Sequence, residues 1–287
     1  MLPKGNRESD GMGANGRTGG KNSIMKIIAV MNQKGGIGKT MTAASIAYIL
    51  GQEKGQKVLV IDADQQGNIS MLYGAYDPEG RGLPDLLENH ERESGTYTTS
   101  ELIQTTPYDR IDIIPCNGYL MNTNMYLMKT EEGNQILRLA EDLEDVAAAY
   151  DYCVIDCGLI MDMTVMNALV AADLVIVPVK LGGFEIEAAD NMDEQLESIR
   201  KFNDRIRMKV LITMRQKNKT TLQVEEWLKE NSGHDCFRTV IRRSVVAEKS
   251  TIAHVPLPKF SRGCIATQDY RAVAYELLRN LEGGQDE

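Results

Sequence analysis

Residues 26–42, KIIAVMNQKGGIGKTMT, constrain the fold of this chain more than any other stretch. After Lys26 come five consecutive apolar residues, Ile27, Ile28, Ala29, Val30 and Met31, a run short and branched enough for a strand buried on both faces. Gly35, Gly36 and Gly38 follow, where the absence of side chains lets backbone N–H groups close on an anion. Lys39 and Thr40 then open a helix, whose N-terminus adds a partial positive charge. Strand, glycine loop and helix in this order read as a phosphate-binding loop. In such a loop the lysine neutralises the β and γ phosphates and the hydroxyl holds Mg²⁺.

The strict form of the motif has a glycine five positions before Gly38, and Gln33 stands there instead. What the chain offers is a second lysine, Lys34, directly before the paired glycines. KGGIGKT resembles the deviant P-loop of the ParA/MinD family of ATPases. The resemblance implies that Lys34 reaches across a nucleotide-sandwich dimer to the partner's phosphates. It also implies a cradle for ATP built from Lys34, Gly35, Gly36, Ile37, Gly38, Lys39, Thr40 and Met41.

Two further motifs carry the resemblance. VLVIDADQQGN (58–68) is a strand running into Asp62 and Asp64, and it is similar to the family's DxDPQGN signature. YDYCVIDC (150–157), a strand ending at Asp156, resembles a Walker B element. By that resemblance Thr40, Asp62 and Asp156 serve the Mg²⁺ shell, and Asp64 orients or activates the lytic water. LITMRQKNKT places Met214 near the adenine, and IRRSVVAEKSTIAHVPLPKFSRG, similar to the stretch found in partition members, adds Pro258. Three departures lie beside the nucleotide: Gln65 where the family has proline, Met41 where a second threonine is usual, and Gly158 with Leu159 where two prolines commonly follow the aspartate. They bear on hydrolysis rate and dimer closure more than on fold.

Strand-like runs at 57–62, 110–115, 152–156, 174–179 and 208–213 alternate with helical stretches at 41–50, 134–149, 163–171 and 184–202. This rhythm predicts a single α/β domain: a mostly parallel sheet with helices on both faces, and a ligand site at the carboxyl ends of the strands. Asp62, Asp64 and Asp156 all sit at such ends. Residues 77–106 read as a polar insertion at the sheet edge with short helical turns at best. The last third reads as a helix at 222–231, a short strand near 237–241, a loop around Pro256 and Pro258, and a closing helix at 268–281. Residues 1–23 are expected to be a disordered extension outside the ATPase domain, which spans 24–282, and 283–287 a disordered tail.

The chain has 287 residues, enough for one sizeable core, and no apolar run near the ~18 residues needed to span a bilayer. Five scattered cysteines without a C-x-x-C pair argue against a zinc site or a disulfide framework and for a reducing compartment. The net charge of −9 is unevenly spread: residues 200–262 hold 15 Lys or Arg against six acids, which leaves the remainder strongly acidic. Such asymmetry fits an anion-binding face or a solvated surface. Within this segment Arg242 and Arg243 precede a helix start at Ser244, with Lys249, Lys259, Arg262, Arg215, Lys217 and Lys219 as secondary candidates for DNA phosphates.

The resemblance therefore implies a cytoplasmic, nucleoid-associated ATPase. It would dimerise with ATP and Mg²⁺, bind double-stranded DNA non-specifically and, with a ParB-type partner, segregate a plasmid, mobile element or chromosome. Two rival readings make distinct demands. A MinD-like membrane regulator needs a basic amphipathic C-terminal anchor, and this chain ends LEGGQDE. A reductase like the nitrogenase iron protein needs two placed cysteines, for which only Cys116 and Cys157 offer themselves, outside any matching motif.

Overall fold

Successive residues of the central strands feed two separate cores, the reason these strands are apolar throughout rather than alternating. Ile28, Val58, Val60, Val154 and Ile176 pack on one side of the sheet. Ala29, Leu59, Ile61, Ile155 and Val177 pack on the other. A computed structural model describes residues 25–89, 97–131, 134–182 and 185–281; the expected extension at 1–23 and tail at 283–287 lie outside them. The described chain runs β1 (Lys26–Val30), α1 (Lys39–Tyr48) with a π-helical turn (Ile49–Glu53), β2 (Val58–Ala63), α2 (Asn68–Leu72), α3 (Leu83–Glu88), α4 (Thr99–Leu102), β3 (Gln104–Thr105) and β4 (Ile111–Ile114). It continues through α5 (Leu120–Lys129), α6 (Arg138–Glu144), β5 (Tyr152–Cys157), α7 (Met163–Ala171), β6 (Leu174–Lys180), α8 (Glu185–Ile199), β7 (Arg207–Thr213), α9 (Lys219–Glu230), α10 (Val245–Ile252), α11 (Leu257–Phe260) and α12 (Ile265–Leu281).

The strands form one sheet in the order β3-β4-β2-β5-β1-β6-β7. Its pairs are parallel except β3 with β4. The expected α/β fold is thus present. β1 lies between β5 and β6, so the loop leaving its carboxyl end opens beside the end of β5. α1 and α12 cover one face, α12 through Tyr270, Val273, Ala274 and Leu277. α3 and α5 to α8 cover the other, among them Leu86, Leu127, Leu139, Leu169 and Leu196.

Four expectations need correction. No strand forms at 237–241. The Phe237 and Ile241 amides do reach Val210 and Ile212 of β7, but between them the Arg238 and Thr239 amides donate to the Glu276 carboxylate of α12. Only isolated bridges remain, Val210 with Cys236 and Arg215 with Arg242. The helix expected at 134–149 is confined to α6, followed by a short 3₁₀ turn at Ala147–Ala149. The loop around Pro256 and Pro258 contains α11. The insertion at 77–106 is not merely an edge feature, because α3 buries Leu83, Leu86 and Leu87 completely.

Gly82 sets the entry to α3. The Leu83 amide donates to the Pro115 carbonyl at 2.9 Å, and a Cβ on Gly82 would stand 2.0 Å from that same oxygen. Gly82→Ala is therefore expected to destabilise the fold by about 2 kcal/mol, since backbone rather than a flexible side chain must move. Urea unfolding should show the lower midpoint at an unchanged slope, and an unshifted midpoint would mean that the loop relaxes without cost.

Candidate functional site

The glycine loop is held from three sides. Asn32 is buried, its Nδ2 donates to the Pro178 carbonyl at 2.8 Å, and its Oδ1 accepts from the Lys34 amide at 3.0 Å. Thr213, at the end of β7, donates its hydroxyl to the Ile37 carbonyl at 2.7 Å. Thr42 of α1 is linked to the Tyr270 hydroxyl of α12 at 3.1 Å. Gly36 and Gly38 adopt φ of 68° and 90°, the left-handed region where a side chain is strained. A Cβ on Gly36 would meet nothing within 4 Å, so the space beside the loop there is open. Lys39 is nearly buried, and its Nζ reaches back over the loop to the Lys34 carbonyl at 3.3 Å.

The acidic side of the site comes from sheet register. β2 and β5 pair so that Asp62 and Asp156 are direct neighbours, and Val30 of β1 is the partner of Asp156 on the other side. Asp156 is fully buried and neither carboxylate oxygen has a hydrogen-bond partner. Burial and the neighbouring Asp62 push its carboxyl well above the usual range. Thr40 and Lys39 pull the other way, the Thr40 hydroxyl lying near without the geometry of a full hydrogen bond. For Lys39 the signs reverse: burial lowers its ammonium, while Asp156 and Asp64 raise it. A buried carboxylate without partners beside a hydroxyl and a glycine cradle suits a magnesium ion, which keeps most of its shell as water and phosphate oxygen and takes few protein ligands.

Asp62 differs. Its Oδ2 accepts from the Ser70 amide at 3.0 Å and the Ser70 hydroxyl at 2.6 Å, and its Oδ1 accepts from the Asp64 amide at 3.1 Å. Burial still pushes its carboxyl up to about 7. These bonds tie the end of β2 to α2. Asp64 is half-buried, accepts from the Gln66 amide at 3.0 Å and lines the cleft.

The cleft has a volume of about 430 Å³. One wall is residues 35–41 of the loop and helix, and Met214 sits across from it, its Cε 3.6 Å from where a Cβ on Gly38 would stand. Met214 has φ 51°, unusual for a residue with a side chain, and this turns it toward the loop. The opposite wall is α10 and its cap: Arg243, Ser244, Glu248, Thr251 and His254. Reading the sequence did not single out Ser244, Glu248, Thr251 or His254 as cleft residues. Nothing local could have done so, because they meet the loop only through the fold. Pro258, expected beside the nucleotide, is buried in α11 and is not among the residues that line the cleft.

A family model described as AAA domain matches residues 25–212. The chromosome partitioning protein ParA of Caulobacter vibrioides is 29% identical over 258 residues, spanning 88% of this chain and 94% of that protein. This chain belongs to the ParA/MinD family of P-loop ATPases. Two solved structures share the fold of this ParA-type chain. Cobyrinic acid a,c-diamide synthase from Mycobacterium smegmatis, solved with ADP and magnesium, has a TM-score of 0.76 at 23% identity, covering 91% of this chain and 97% of that one. A plasmid partition protein from Borrelia burgdorferi bound to AMPPNP has a TM-score of 0.75 at 22% identity, covering 89% and 99%.

The basic residues of this ParA-type chain fall into two groups. Arg242 is clamped to Asp269 of α12: its Nε donates to both carboxylate oxygens at 2.9 and 3.1 Å, its Nη2 to Oδ1, and its amide to Oδ2 at 2.9 Å. Arg215 pairs with Glu225 of α9 at 3.0 Å, both largely buried. These two arginines join elements of the fold, and Arg242, its side chain 41% exposed, also lines the cleft. Arg243, Lys249, Lys259, Arg262, Lys217 and Lys219 are exposed. Cys116 and Cys157 are both buried within the core, with burial pushing each thiol up, so neither is presented to bridge a cluster. No described helix is long and apolar enough to cross a membrane, and α12 spends its apolar side on the core.

Proposed function

We propose that this chain is a Mg²⁺-dependent ATPase that dimerises around ATP, binds DNA non-specifically in that state and serves the partition of a replicon with a ParB-type partner. The observation that carries the nucleotide chemistry is the unpartnered Asp156 carboxylate lying beside Lys39 and Thr40 at an open glycine cradle. In this reading the amides of residues 35–40 and the Lys39 ammonium bind the phosphates. Thr40 and Asp156 would hold Mg²⁺, which neutralises charge on the β and γ phosphates. Asp64 orients the attacking water, and Asp62, expected in the Mg²⁺ shell, instead holds Asp64 in place, its oxygens being taken by Ser70 and the Asp64 amide. Met214 and α10 close over the base. Relatives named for chromosome partitioning favour the replicon role.

The test is ATP turnover by the purified chain with and without double-stranded DNA and the product of the neighbouring gene. Stimulation by the two together supports partition, and an Mg²⁺-independent or absent turnover under all conditions would sink the reading. The DNA interface is best probed at exposed residues, because charge reversal at Arg242 would leave Asp269 buried and unpaired. Arg243→Glu with Lys249→Glu should weaken binding to unrelated fragments alike in ATP and flatten the log–log salt dependence by roughly 2. An unaltered slope with dimerisation intact would move the DNA site elsewhere.

Lys34 is exposed at the lip of the loop, and its backbone carbonyl accepts from the Lys39 Nζ. Lys34→Ala should therefore bind ATP as a monomer with little loss yet fail to dimerise. Light scattering in a non-hydrolysable analogue decides this, and a normal dimer would rule out a role in trans.

A further inference from the structure

The turn that carries Asp64 begins where β2 ends, and it is held both from within and from the neighbouring strand. Its Asp64 carbonyl accepts from the Gly67 amide at 2.9 Å, which closes a four-residue turn with Gln65 and Gln66 at the centre. The Asp64 Oδ1 accepts from the Gln66 amide at 3.0 Å, and the Asp64 amide donates to Asp62 at 3.1 Å. Across the sheet, the Gly158 amide donates to the Ala63 carbonyl at 3.2 Å. Ala63 is the last residue of β2 to pair with β5, opposite Cys157, so this bond lies one residue beyond the ladder and grips the peptide that joins Ala63 to Asp64. Gly158 is buried, and a Cβ added to it would stand 3.7 Å from both the Asp64 Cα and Oδ1, an ordinary contact. Gln65 is exposed, and no hydrogen bond among the described residues uses its amide.

Two of the departures from the family motif meet at this bond. At position 65, the second residue of the turn, a proline would fix φ at about −65° and stiffen the turn by itself, whereas Gln65 leaves that to the bonds around it. At position 158 a proline would have no N–H, and the bond to Ala63 would not exist. We propose that Gly158 is a positioning residue for Asp64, its N–H supplying from β5 the hold on the turn that Gln65 does not supply from within. The proposal rests on the reading of Asp64 as the residue that orients the attacking water. A carboxylate in that role is sensitive to small displacements, since a shift of about 1 Å costs on the order of 100-fold in rate. The glycine cradle follows β1 and takes no part in the bond, so nucleotide binding is left to residues that Gly158 does not hold.

The experiment compares Gly158→Pro, Gly158→Ala, Gly158→Pro with Gln65→Pro, and Gly158→Pro with Asp64→Ala. Each is read by the affinity for a fluorescent ATP analogue and by single-turnover hydrolysis of ATP in Mg²⁺, with a thermal melt to confirm folding. Gly158→Pro is expected to bind the analogue as wild type does and to hydrolyse roughly 10- to 100-fold more slowly. Gly158→Ala keeps the N–H and should hydrolyse at the wild-type rate, and adding Gln65→Pro to Gly158→Pro should restore most of the lost rate. In Asp64→Ala, Gly158→Pro should cause no further loss, because it acts through a carboxylate already removed. A purely structural role would lower hydrolysis in both backgrounds. Wild-type hydrolysis by Gly158→Pro, equal losses in the alanine and proline variants, no recovery with Gln65→Pro, or a further loss in Asp64→Ala each overturns the positioning role and leaves the Asp64 reading intact. Native turnover by Asp64→Ala alone overturns both. Hydrogen exchange of the wild type needs no variant: the Gly158 amide should exchange at least about tenfold more slowly than an open-loop amide, and free exchange overturns the bond itself.

Discussion

Lys39→Ala is expected to abolish ATP binding at concentrations where the wild-type chain is saturated. Lys39 is the cation set into the loop, nearly buried, with Nζ held over the cradle by the Lys34 carbonyl. The glycine amides supply only dipoles, whereas a lysine bonded to two phosphates supplies charge-assisted bonds of about 1.5–3 kcal/mol each. Losing both weakens binding by roughly 100-fold or more. The loss also removes a cation that lowers the Asp156 carboxyl, so that carboxyl should shift further upward. Isothermal titration with ATP and Mg²⁺ reads the result, with a thermal melt to confirm folding. Undiminished affinity in a folded variant would refute the assignment of the loop.

Asp64→Ala should give the opposite pattern, in which ATP still binds and hydrolysis falls by roughly 10²–10⁴. Of the three strand-end aspartates, Asp64 alone lines the cleft. Asp62 is fully buried with its oxygens taken by Ser70 and the Asp64 amide, and Asp156 is buried beside Thr40. Removing the Asp64 carboxylate leaves the cradle, Lys39 and both buried carboxyls in place. The variant should therefore accumulate as an ATP-bound dimer, seen by light scattering together with single-turnover kinetics. Native turnover would assign water orientation to another group and reduce Asp64 to a turn residue bonding the Gln66 amide.

The two outcomes separate binding from chemistry, and they also separate this site from a bare phosphate-binding turn. A turn that binds anions without catalysis would lose affinity in Lys39→Ala and show no turnover for Asp64→Ala to remove.

What could be read from residues alone is what local order encodes. A strand, a glycine loop and a helix are contiguous at 26–42, so the cradle, Lys39 and Thr40 were identifiable without a fold. The aspartates were legible because each ends an apolar run that strand pairing must bury. The short strand at 237–241 was misread for a related reason: apolar residues suggest a ladder, but Glu276, nearly 40 residues on, takes the amides that a ladder would use. α5 left no trace because Asn122, Thr123 and Asn124 are poor helix formers and its apolar residues lie on both sides of the helix, which erases the amphipathic contrast. Arg242 carried a basic residue's usual suggestion of a ligand, and only the fold brings Asp269 to it. The sequence by itself thus determined the phosphate loop, the alternation of strands and helices and the acidic strand ends, because these depend on neighbours a few residues apart. The fold alone settled which carboxylate is left without a partner, that Asp269 meets Arg242 and that α10 walls the cleft. Those depend on sheet register and helix packing between segments from about 30 to more than 200 residues apart, where no local pattern carries the information.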